Sequence, residues 1–289
     1  MKKLIKIIIR TLLFLLIIVT AYGLFLYQSD PYIKALVQNN ESKLFYRPST
    51  KIEPLNNFDY SEHILTVDDS IKIHSYVFNP SSEAKANIFL VRGNSGNTSQ
   101  GQELIKPLVD NGFRVYSTDW RGYGKSSGVP NYKGVIKDTE TAFVDFLHQT
   151  KNDSIKTIVY GMSLGGQLAV KLTKDNQTKI DALVLDGSLE SAHSFITDNF
   201  RAFYLKSFTN DPNNYNQDYI AIRDITQITN TPKLIIHSIN DRAVPFERGM
   251  NIFKAAKEPK IFWKTNTDHI KTLTDLPDEA IAKLNALIQ

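Results

Sequence analysis

The sequence predicts an α/β fold, a mostly parallel sheet with helices on both faces, and two patterns support this prediction. Short apolar segments rich in β-branched and aromatic residues alternate with segments of helical periodicity over most of the chain. Before this alternation, two segments with strand composition, 63–67 and 71–78, flank Asp68-Asp69-Ser70, which is a hairpin turn sequence. A sheet of this kind binds ligands beyond the carboxyl ends of its strands.

The alternating segments give the order of the remaining predicted elements. The predicted strands after the hairpin are 87–91, 114–118, 156–160, 182–185, 233–237 and 260–263. The predicted helices are 102–111, 133–149, 164–174, 247–257 and 277–287. Because both faces of such a sheet are covered, its strands are expected to be apolar throughout rather than alternating.

Composition limits the classes of function. The chain of 289 residues is 42% hydrophobic and 22% charged, which is ordinary for a globular protein. Its net charge is +4, but Lys2, Lys3, Lys6 and Arg10 supply four positive charges near the start, so no nucleic-acid partner is predicted. The chain has no cysteine, which excludes a cysteine nucleophile, disulfides and thiolate metal sites.

Residues 1–27 predict an N-terminal transmembrane signal anchor. Residues 11–27 carry no charge and basic residues precede them, so we expect a single-pass membrane protein. The positive flank predicts a cytoplasmic N-terminus and a domain on the extracytoplasmic side. A cleaved signal peptide is the main alternative, because Val19-Thr20-Ala21 is an acceptable cleavage site, although the apolar segment continues past it. A core helix is a third interpretation.

The remainder of the chain divides into a linker and one domain. Residues 28–60 have no clear periodicity and contain three prolines, which predicts a stalk. Residues 61–289 form the predicted α/β domain, with a small cap insertion at about 189–230. The cap contains the aromatic residues Phe195, Phe200, Phe203, Tyr204 and Phe208. These residues would suit an acyl chain, but packing of the cap on the sheet explains them equally well.

The candidate nucleophile is Ser163. It occupies the centre of Gly161-Met162-Ser163-Leu164-Gly165, between a predicted strand and a predicted helix. A serine in this strand–turn–helix context projects its Oγ from the top of the sheet, and the helix N-terminus favours developing negative charge. The simpler interpretation is a glycine-rich turn without chemistry.

Four segments of the chain together resemble the α/β-hydrolase superfamily, and in particular the Bem46-type membrane-associated serine hydrolases. They are VRGNSGN at 91–97, DWRGYGKSSG at 119–128, the turn at Ser163, and NDRAVPF at 240–246. The resemblance implies an α/β-hydrolase fold with a cap. It also identifies Asn94 as the second donor of an oxyanion hole, beside Leu164, which follows the nucleophile. The sequence contains no metal cluster, phosphate loop or dinucleotide fingerprint, so no cofactor or metal is expected. Arg92 stands where relatives have histidine.

Arg121 belongs to the second of these segments. We expect it to be a buried structural cation, because a lone buried guanidinium is costly, with a carboxylate partner such as Asp119. A role in binding substrate is the alternative.

The acid and the base follow the nucleophile in this superfamily, in the order Ser, Asp, His. Three histidines lie downstream of Ser163, and His269 alone follows the last predicted strand, where the base belongs. We expect His193 to line a pocket at most and His237 to be structural. Asp241 is the predicted acid because it matches the family segment, and Asp186, one strand earlier, is the alternative.

The sequence therefore predicts a serine hydrolase that cleaves carboxylic esters or thioesters of acyl or lipid-like substrates through an acyl-enzyme. Two alternatives stay open. One is a serine peptidase of the same fold, since the same triad serves amides. The other is a non-catalytic binding protein that kept the fold, to which Arg92 and Ser238, in place of the family's histidine and glycine, give slight support.

Overall fold

The computed structural model describes residues 2–38, 40–151, 154–199 and 211–289. It divides into two compact units, Met1–Tyr46 and Arg47–Gln289. The second unit thus begins at Arg47, earlier than the boundary at 61 expected from sequence. One reason is that Leu55, inside the predicted stalk, is part of the main hydrophobic core.

The first unit contains helices α1 (Lys2–Ser29), α2 (Pro31–Val37) and α3 (Glu41–Phe45). Helix α1 is long and apolar enough to cross a membrane. The hydroxyl groups of Thr11 and Thr20 donate to the carbonyl oxygens four residues earlier, which satisfies these polar groups within the helix. The two short helices α2 and α3 lie in a segment where the sequence showed no helical periodicity. Side-chain caps at Asp30 and Asn40 start them.

The second unit is built on an eight-stranded sheet. Its strands are β2 (Asp59–Asp68), β3 (Ile71–Asn79), β4 (Ala86–Val91), β6 (Phe113–Asp119), β7 (Lys156–Met162), β8 (Ala182–Asp186), β9 (Lys233–Ser238) and β10 (Lys260–Thr265). Their order is β10-β9-β8-β7-β4-β6-β3-β2. The six strands from β10 to β6 are parallel, and the hairpin β2–β3 adds antiparallel to β6. Short strands β1 (Arg47–Pro48) and β5 (Ser95–Gly96) pair separately.

Helices cover both faces of this sheet. They are α4 (Gln102–Asp110), α5 (Tyr132–Gln149), α6 (Leu164–Asp175), α7 (Ala192–Asn199), α8 (Ala221–Asp224), α9 (Phe246–Ala255), α10 (Thr272–Asp275) and α11 (Pro277–Leu287). Strand β4 shows why two layers are needed, since Ile88 joins the core formed with α4, whereas the next side chain, Phe89, packs on Phe143 and Phe146 of α5. The prediction of a mostly parallel sheet with helices on both faces is confirmed, and each predicted strand and helix is present within a few residues.

The described part of the predicted cap is mostly short helices. It comprises α7, a 3₁₀ turn at Pro212–Asn214, α8 and a second 3₁₀ turn at Ile225–Gln227. Three carboxylate contacts hold α7 to the domain: Arg248 of α9 binds both carboxylate oxygens of Asp198 at 2.8 and 2.6 Å, and Glu190 at 2.7 Å. Of the five aromatic residues predicted for the cap, four, Phe200, Phe203, Tyr204 and Phe208, lie outside the described residues.

Candidate active site

Ser163 lies on a sharp turn between strand β7 and helix α6. Its φ is 52° and its ψ is −122°, a left-handed conformation that is strained for a residue with a side chain. The turn is held by the backbone N–H of Ser163, which donates to the carbonyl oxygen of Asp186 at 2.9 Å. The turn places Ser163 at the carboxyl edge of the sheet, where the residue is 8% exposed. This is the conformation that the sequence motif predicts.

The glycines around Ser163 are required by close packing. A Cβ at Gly165 would lie 2.1 Å from the carbonyl oxygen of Arg92, and a Cβ at Gly161 would lie 2.5 Å from the Cβ of Ala169. These contacts bring the first turn of α6 directly against strand β4 and against its own strand. The two glycines of the motif are therefore explained by packing.

Ser163, His269 and Asp241 form one chain of hydrogen bonds. Nε2 of His269 is 3.0 Å from Oγ of Ser163, and Nδ1 is 2.6 Å from Oδ2 of Asp241. The three residues follow β7, β10 and β9, so the parallel sheet brings its carboxyl ends to the same edge. Because a carboxylate can only accept, Nδ1 carries the proton and Nε2 is left as the acceptor that faces Ser163.

Asp241 is held as a buried carboxylate. Its side chain is 1% exposed, and its second oxygen accepts from the backbone N–H groups of Ala243 and Val244 at 2.9 and 2.8 Å. Burial by itself would raise the pKa of Asp241, but the hydrogen bonds from His269 and Val244 and the nearby imidazoles hold this pKa below its ordinary value. Asp241 is thus ionised and oriented toward His269.

Asp186, the alternative acid, has different partners. Its carboxylate accepts from the hydroxyl of Tyr160 at 3.2 Å and from that of Thr272 at 3.3 Å. Burial raises the pKa of Asp186 to about 6. The next residue, Gly187, packs on the imidazole, because a Cβ there would lie 3.0 Å from Nδ1 of His269. The backbone at the end of β8 therefore packs against the imidazole of His269, while the carboxylate of Asp186 binds other residues.

The other two histidines downstream of Ser163 make no hydrogen bond to Ser163, His269 or Asp241 among the described residues. His237 is fully buried, its Nε2 is 3.0 Å from the carbonyl oxygen of Val244, and burial lowers its pKa, which keeps it neutral. It supports the turn that carries Asp241, from which its Nε2 is 3.6 Å away. His193 lies in α7 with its ring 5.6 Å from that of Tyr215.

The predicted oxyanion donors lie on two sides of Ser163. Leu164 begins helix α6 directly after it, and N–H groups in a first helical turn have no acceptor within the helix. Asn94 follows Gly93, at which a Cβ would lie 3.3 Å from the Cβ of Ser163, so this loop passes beside the nucleophile. The carbonyl oxygen of Asn94 accepts from Arg47 N–H at 2.8 Å and from the Tyr123 hydroxyl at 2.6 Å, which holds the loop in place.

Of the two arginines near this loop, Arg121 has a different partner from the one expected from sequence. Arg121 does not pair with Asp119. Instead, it binds Asp138 of α5, with Nη2 at 2.7 Å and Nε at 3.0 Å, and it also contacts Asp68. Asp119 faces Arg92, with Nη1 and Oδ1 3.8 Å apart. The expectation of a buried structural cation at Arg121 holds, but its partner was wrong because Asp138 lies 17 residues away on another element.

A cavity of about 280 Å³ opens beside this loop. Arg92, Gly93, Gly101, Leu104, Met162 and Ile270 are among the residues that line it, and Lys271 and Glu103 lie at its rim. Ile270 has a φ of 53°, which is rare for a β-branched residue, and its side chain fills the space between Gly93 and Gly187. No pattern in the sequence indicated the role of Ile270, whereas Arg92 was visible as a departure from the family.

Comparison with known sequences finds a hydrolase family and several relatives. Residues 82–210 match the hydrolase family described as serine aminopeptidase, S33. The chain is 25% identical to the uncharacterised protein YfhR of Escherichia coli K12 over 246 residues, 83% of this chain and 84% of YfhR. It is 29% identical to the protein Bem46 of Schizosaccharomyces pombe over 143 residues, 48% of each chain. Lysophosphatidylserine lipase ABHD12 of Macaca fascicularis is 26% identical over 211 residues, 68% of this chain and 51% of that protein.

Comparison with solved structures gives the fold. The chain is similar to the esterase Pf2001 of Pyrococcus furiosus with a TM-score of 0.67 and 17% identity, over 84% of this chain and 97% of that one. The predicted α/β-hydrolase fold is therefore confirmed.

Proposed function

Because this chain belongs to the α/β-hydrolase superfamily and is Bem46-like, we propose that it hydrolyses carboxylic esters or thioesters of acyl or lipid-like substrates through Ser163, Asp241 and His269. The family resemblance drawn from the sequence motifs is confirmed, and the chain is a hydrolase of esterase- or lipase-like type. The observation that supports the proposal most strongly is the continuous hydrogen-bonded chain from Asp241 through His269 to Ser163.

The proposed reaction starts with Ser163. Nε2 of His269 takes the proton of Oγ as Oγ attacks the ester carbonyl carbon, and the carbonyl oxygen becomes an oxyanion. The backbone N–H groups of Leu164 and Asn94 donate to this oxyanion. His269 returns the proton to the departing alcohol or thiol, which leaves an acyl-enzyme at Ser163. A water then attacks the acyl carbon as the same nitrogen takes its proton. The bond from that carbon to Oγ breaks, the carboxylic acid is released, and the proton passes from His269 to Oγ of Ser163.

Asp241 acts through His269. Its carboxylate accepts from Nδ1, so it selects the tautomer that can accept a proton from Ser163 and stabilises the imidazolium that forms. Two backbone N–H groups fix its other oxygen, so little reorganisation accompanies the proton transfer.

A fluorophosphonate probe tests the proposal on the purified full chain in detergent. Only an activated serine reacts with such a probe. We expect one phosphonylated serine, Ser163, and no labelling of Ser163→Ala. Ser188→Ala is a matched control, because Ser188 is also buried near the turn but lies outside the proposed triad. Labelling that persists in Ser163→Ala would assign the nucleophile to another serine. A chain that does not react would contradict the proposal and favour a non-catalytic binding protein.

Amide hydrolysis is a second candidate, supported by the family description of serine aminopeptidase. The comparison is between 4-nitrophenyl esters and aminoacyl 4-nitroanilides of matched size. We expect the ester to be preferred, and the name of the ABHD12 relative supports a lipid-like ester. A larger kcat/KM for the anilide would favour the peptidase.

We also propose that α1 is a retained signal anchor with its N-terminus in the cytoplasm. Supporting this are the apolar length of Lys2–Ser29 and the four basic residues that occur only within its first turns. The hydrolase domain would then face the extracytoplasmic side.

A further inference from the structure

We propose that the cavity beside Ser163 binds an acidic oxygen group of the ester substrate, a carboxylate or a phosphate, and that the guanidinium of Arg92 is the group that recognises it. This inference rests on the proposed ester hydrolysis, because it names the class of ester.

The cavity lies directly beside Ser163. Gly93 and Met162 line it, and they flank the nucleophile in space and in sequence. Ile270, which directly follows His269, forms another part of the wall. A group bound in the cavity is thus close enough to belong to the same molecule as the ester bound at Ser163.

The guanidinium of Arg92 has few hydrogen-bond partners in the described part of the chain. An arginine has five N–H donors. Among the described residues, its contacts are one hydrogen bond from Nη2 to the carbonyl oxygen of Ser95 at 3.3 Å and the ion pair with Asp119 at 3.8 Å, which is too long for a hydrogen bond. Arg92 lines the cavity, and neither Nε nor Nη1 has a hydrogen-bond partner within the residues that the structure describes. Most of its donor capacity is therefore available to a ligand.

The side chain of Arg92 is also held in place. Its side chain is only 12% exposed. A Cβ at Gly101 would lie 3.0 Å from Nε and Nη2, so the absence of a side chain there makes room for the guanidinium plane. Asp119, 1% exposed, lies 3.8 Å from Nη1 and attracts the guanidinium by its charge. A guanidinium with a fixed plane is suited to bind a carboxylate or phosphate through two parallel hydrogen bonds.

The other residues that line the cavity determine which kind of ligand fits beside Arg92. Lys271 and Glu103, which also line the cavity, are hydrogen-bonded to each other. Arg92, in contrast, is only loosely paired with Asp119 at 3.8 Å, so Arg92 is the cation left to bind an acidic group. Leu104, Met162 and Ile270 supply apolar walls. A short hydrocarbon segment between the ester and the acidic group would pack on them. The substrate class is therefore an acyl ester with an acidic group in its acyl or alcohol part.

Two matched pairs of esters test this inference and distinguish the two positions of the acidic group. Mono-4-nitrophenyl glutarate and 4-nitrophenyl pentanoate differ by a carboxylate in the acyl part. The phosphate of 1-butanoylglycerol 3-phosphate, compared with 1-butanoylglycerol, tests the alcohol part. We expect the full chain in detergent to prefer the anionic ester of at least one pair by about tenfold in kcat/KM. Equal rates in both pairs would overturn the inference.

Arg92→His is the main variant, because it keeps a planar polar side chain without the guanidinium, and it is measured at pH 8 so that the imidazole is neutral. We expect the anionic-to-neutral ratio to fall roughly tenfold. Arg92→Met should do the same where its thermal melt shows a folded chain. Lys156→Met, at the opposite end of β7 from Met162 and in an exposed ion pair with Asp181, removes the same charge away from the cavity and should keep the ratio. A ratio within about twofold of the parent in folded Arg92→His would overturn the inference.

Binding separates this inference from the proposed reaction. Phenylphosphonate, titrated onto Ser163→Ala by calorimetry, should bind at least about fivefold more weakly after Arg92→His is added. If the parent hydrolyses no ester while this dependence on Arg92 is found, the proposed function fails and the anion site stands. If esters are hydrolysed and phenylphosphonate binding does not depend on Arg92, only the anion site fails.

Discussion

The backbone N–H of Ser163 donates to the carbonyl oxygen of Asp186, so the turn with the nucleophile is fastened to the end of the neighbouring strand. The side chain of Asp186 points to Tyr160 and Thr272 and makes no hydrogen bond to His269 among the described residues. Asp186 is thereby a neighbour of the candidate site, and Asp241 is the carboxylate that contacts the imidazole of His269.

Asp241→Asn should lower kcat by about three to four orders of magnitude in a folded chain, because the amide no longer selects the productive tautomer of His269. Asp186→Asn should lower kcat by less than about tenfold, since both of its hydroxyl partners can adjust to an amide. Steady-state hydrolysis of 4-nitrophenyl butyrate by the two variants measures this difference. A larger loss in Asp186→Asn would transfer the acid to β8.

Asp186 should also make stability depend on pH. Its pKa is about 6 in the folded chain, raised by burial, against an ordinary value of 3.8. The folded chain therefore holds this proton more tightly than the unfolded chain, and the free energy of unfolding falls as pH rises from 4 to 6 and is constant above that window. Because a pKa difference of about 1 corresponds to about 1.4 kcal/mol, the loss is about 3 kcal/mol.

Asp186→Asn cannot titrate, so this loss should be absent from it. Relative to the parent, the variant should become more stable by about 3 kcal/mol between pH 4 and pH 7 in urea unfolding. Asp145→Asn serves as the control, because the pKa of Asp145 is shifted down and not up. A stability difference between parent and Asp186→Asn that is independent of pH would show that Asp186 titrates normally.

Ser163 and His269 should behave as one unit in kinetics. Ser163→Ala and His269→Ala should each remove nearly all ester hydrolysis, and the double variant should be scarcely worse than either, because the nucleophile has no function without its base. Thermal melts should show all three variants folded. Substantial activity in His269→Ala, together with loss of activity in His193→Ala or His237→Ala, would assign the base elsewhere.

The N-terminal helix should keep the chain in membranes. We expect the full-length chain to fractionate with membranes and to resist extraction by salt, because the apolar Lys2–Ser29 helix is long enough to span the hydrocarbon core. Protease added from the extracytoplasmic side should digest the unit Arg47–Gln289. Full-length chain in the soluble fraction, or a mature protein that begins at Tyr22, would contradict a retained anchor.

The parallel strands could be predicted from sequence because burial on both faces makes each one a short, continuous apolar segment. Strand β8, with five residues all buried, shows this pattern clearly. Ser163, Asp241 and His269 could be predicted because the superfamily places its functional residues directly after strands, and the structure brings these three within hydrogen-bond distance of one another.

Other features depend on distances between elements, which local patterns do not contain. The pairing of Arg121 with Asp138 depends on how α5 lies against the loop after β6. The left-handed conformation of Ile270 is imposed by packing between Gly93 and Gly187, since an isoleucine does not adopt it by preference. The short strands β1 and β5 have two residues each, too few for any periodicity.

The hydrogen bonds of the proposed triad join residues 106 and 28 positions apart in the chain. No local segment contains the site, and β7, β9 and β10 must all hold their places in the sheet, with β8 inserted between β7 and β9, before Ser163 meets His269. Helices and hairpins formed early in folding would therefore leave the serine inert. A covalent serine probe would label only those molecules in which the sheet is completely formed. The labelled fraction would therefore measure the fraction of fully folded protein.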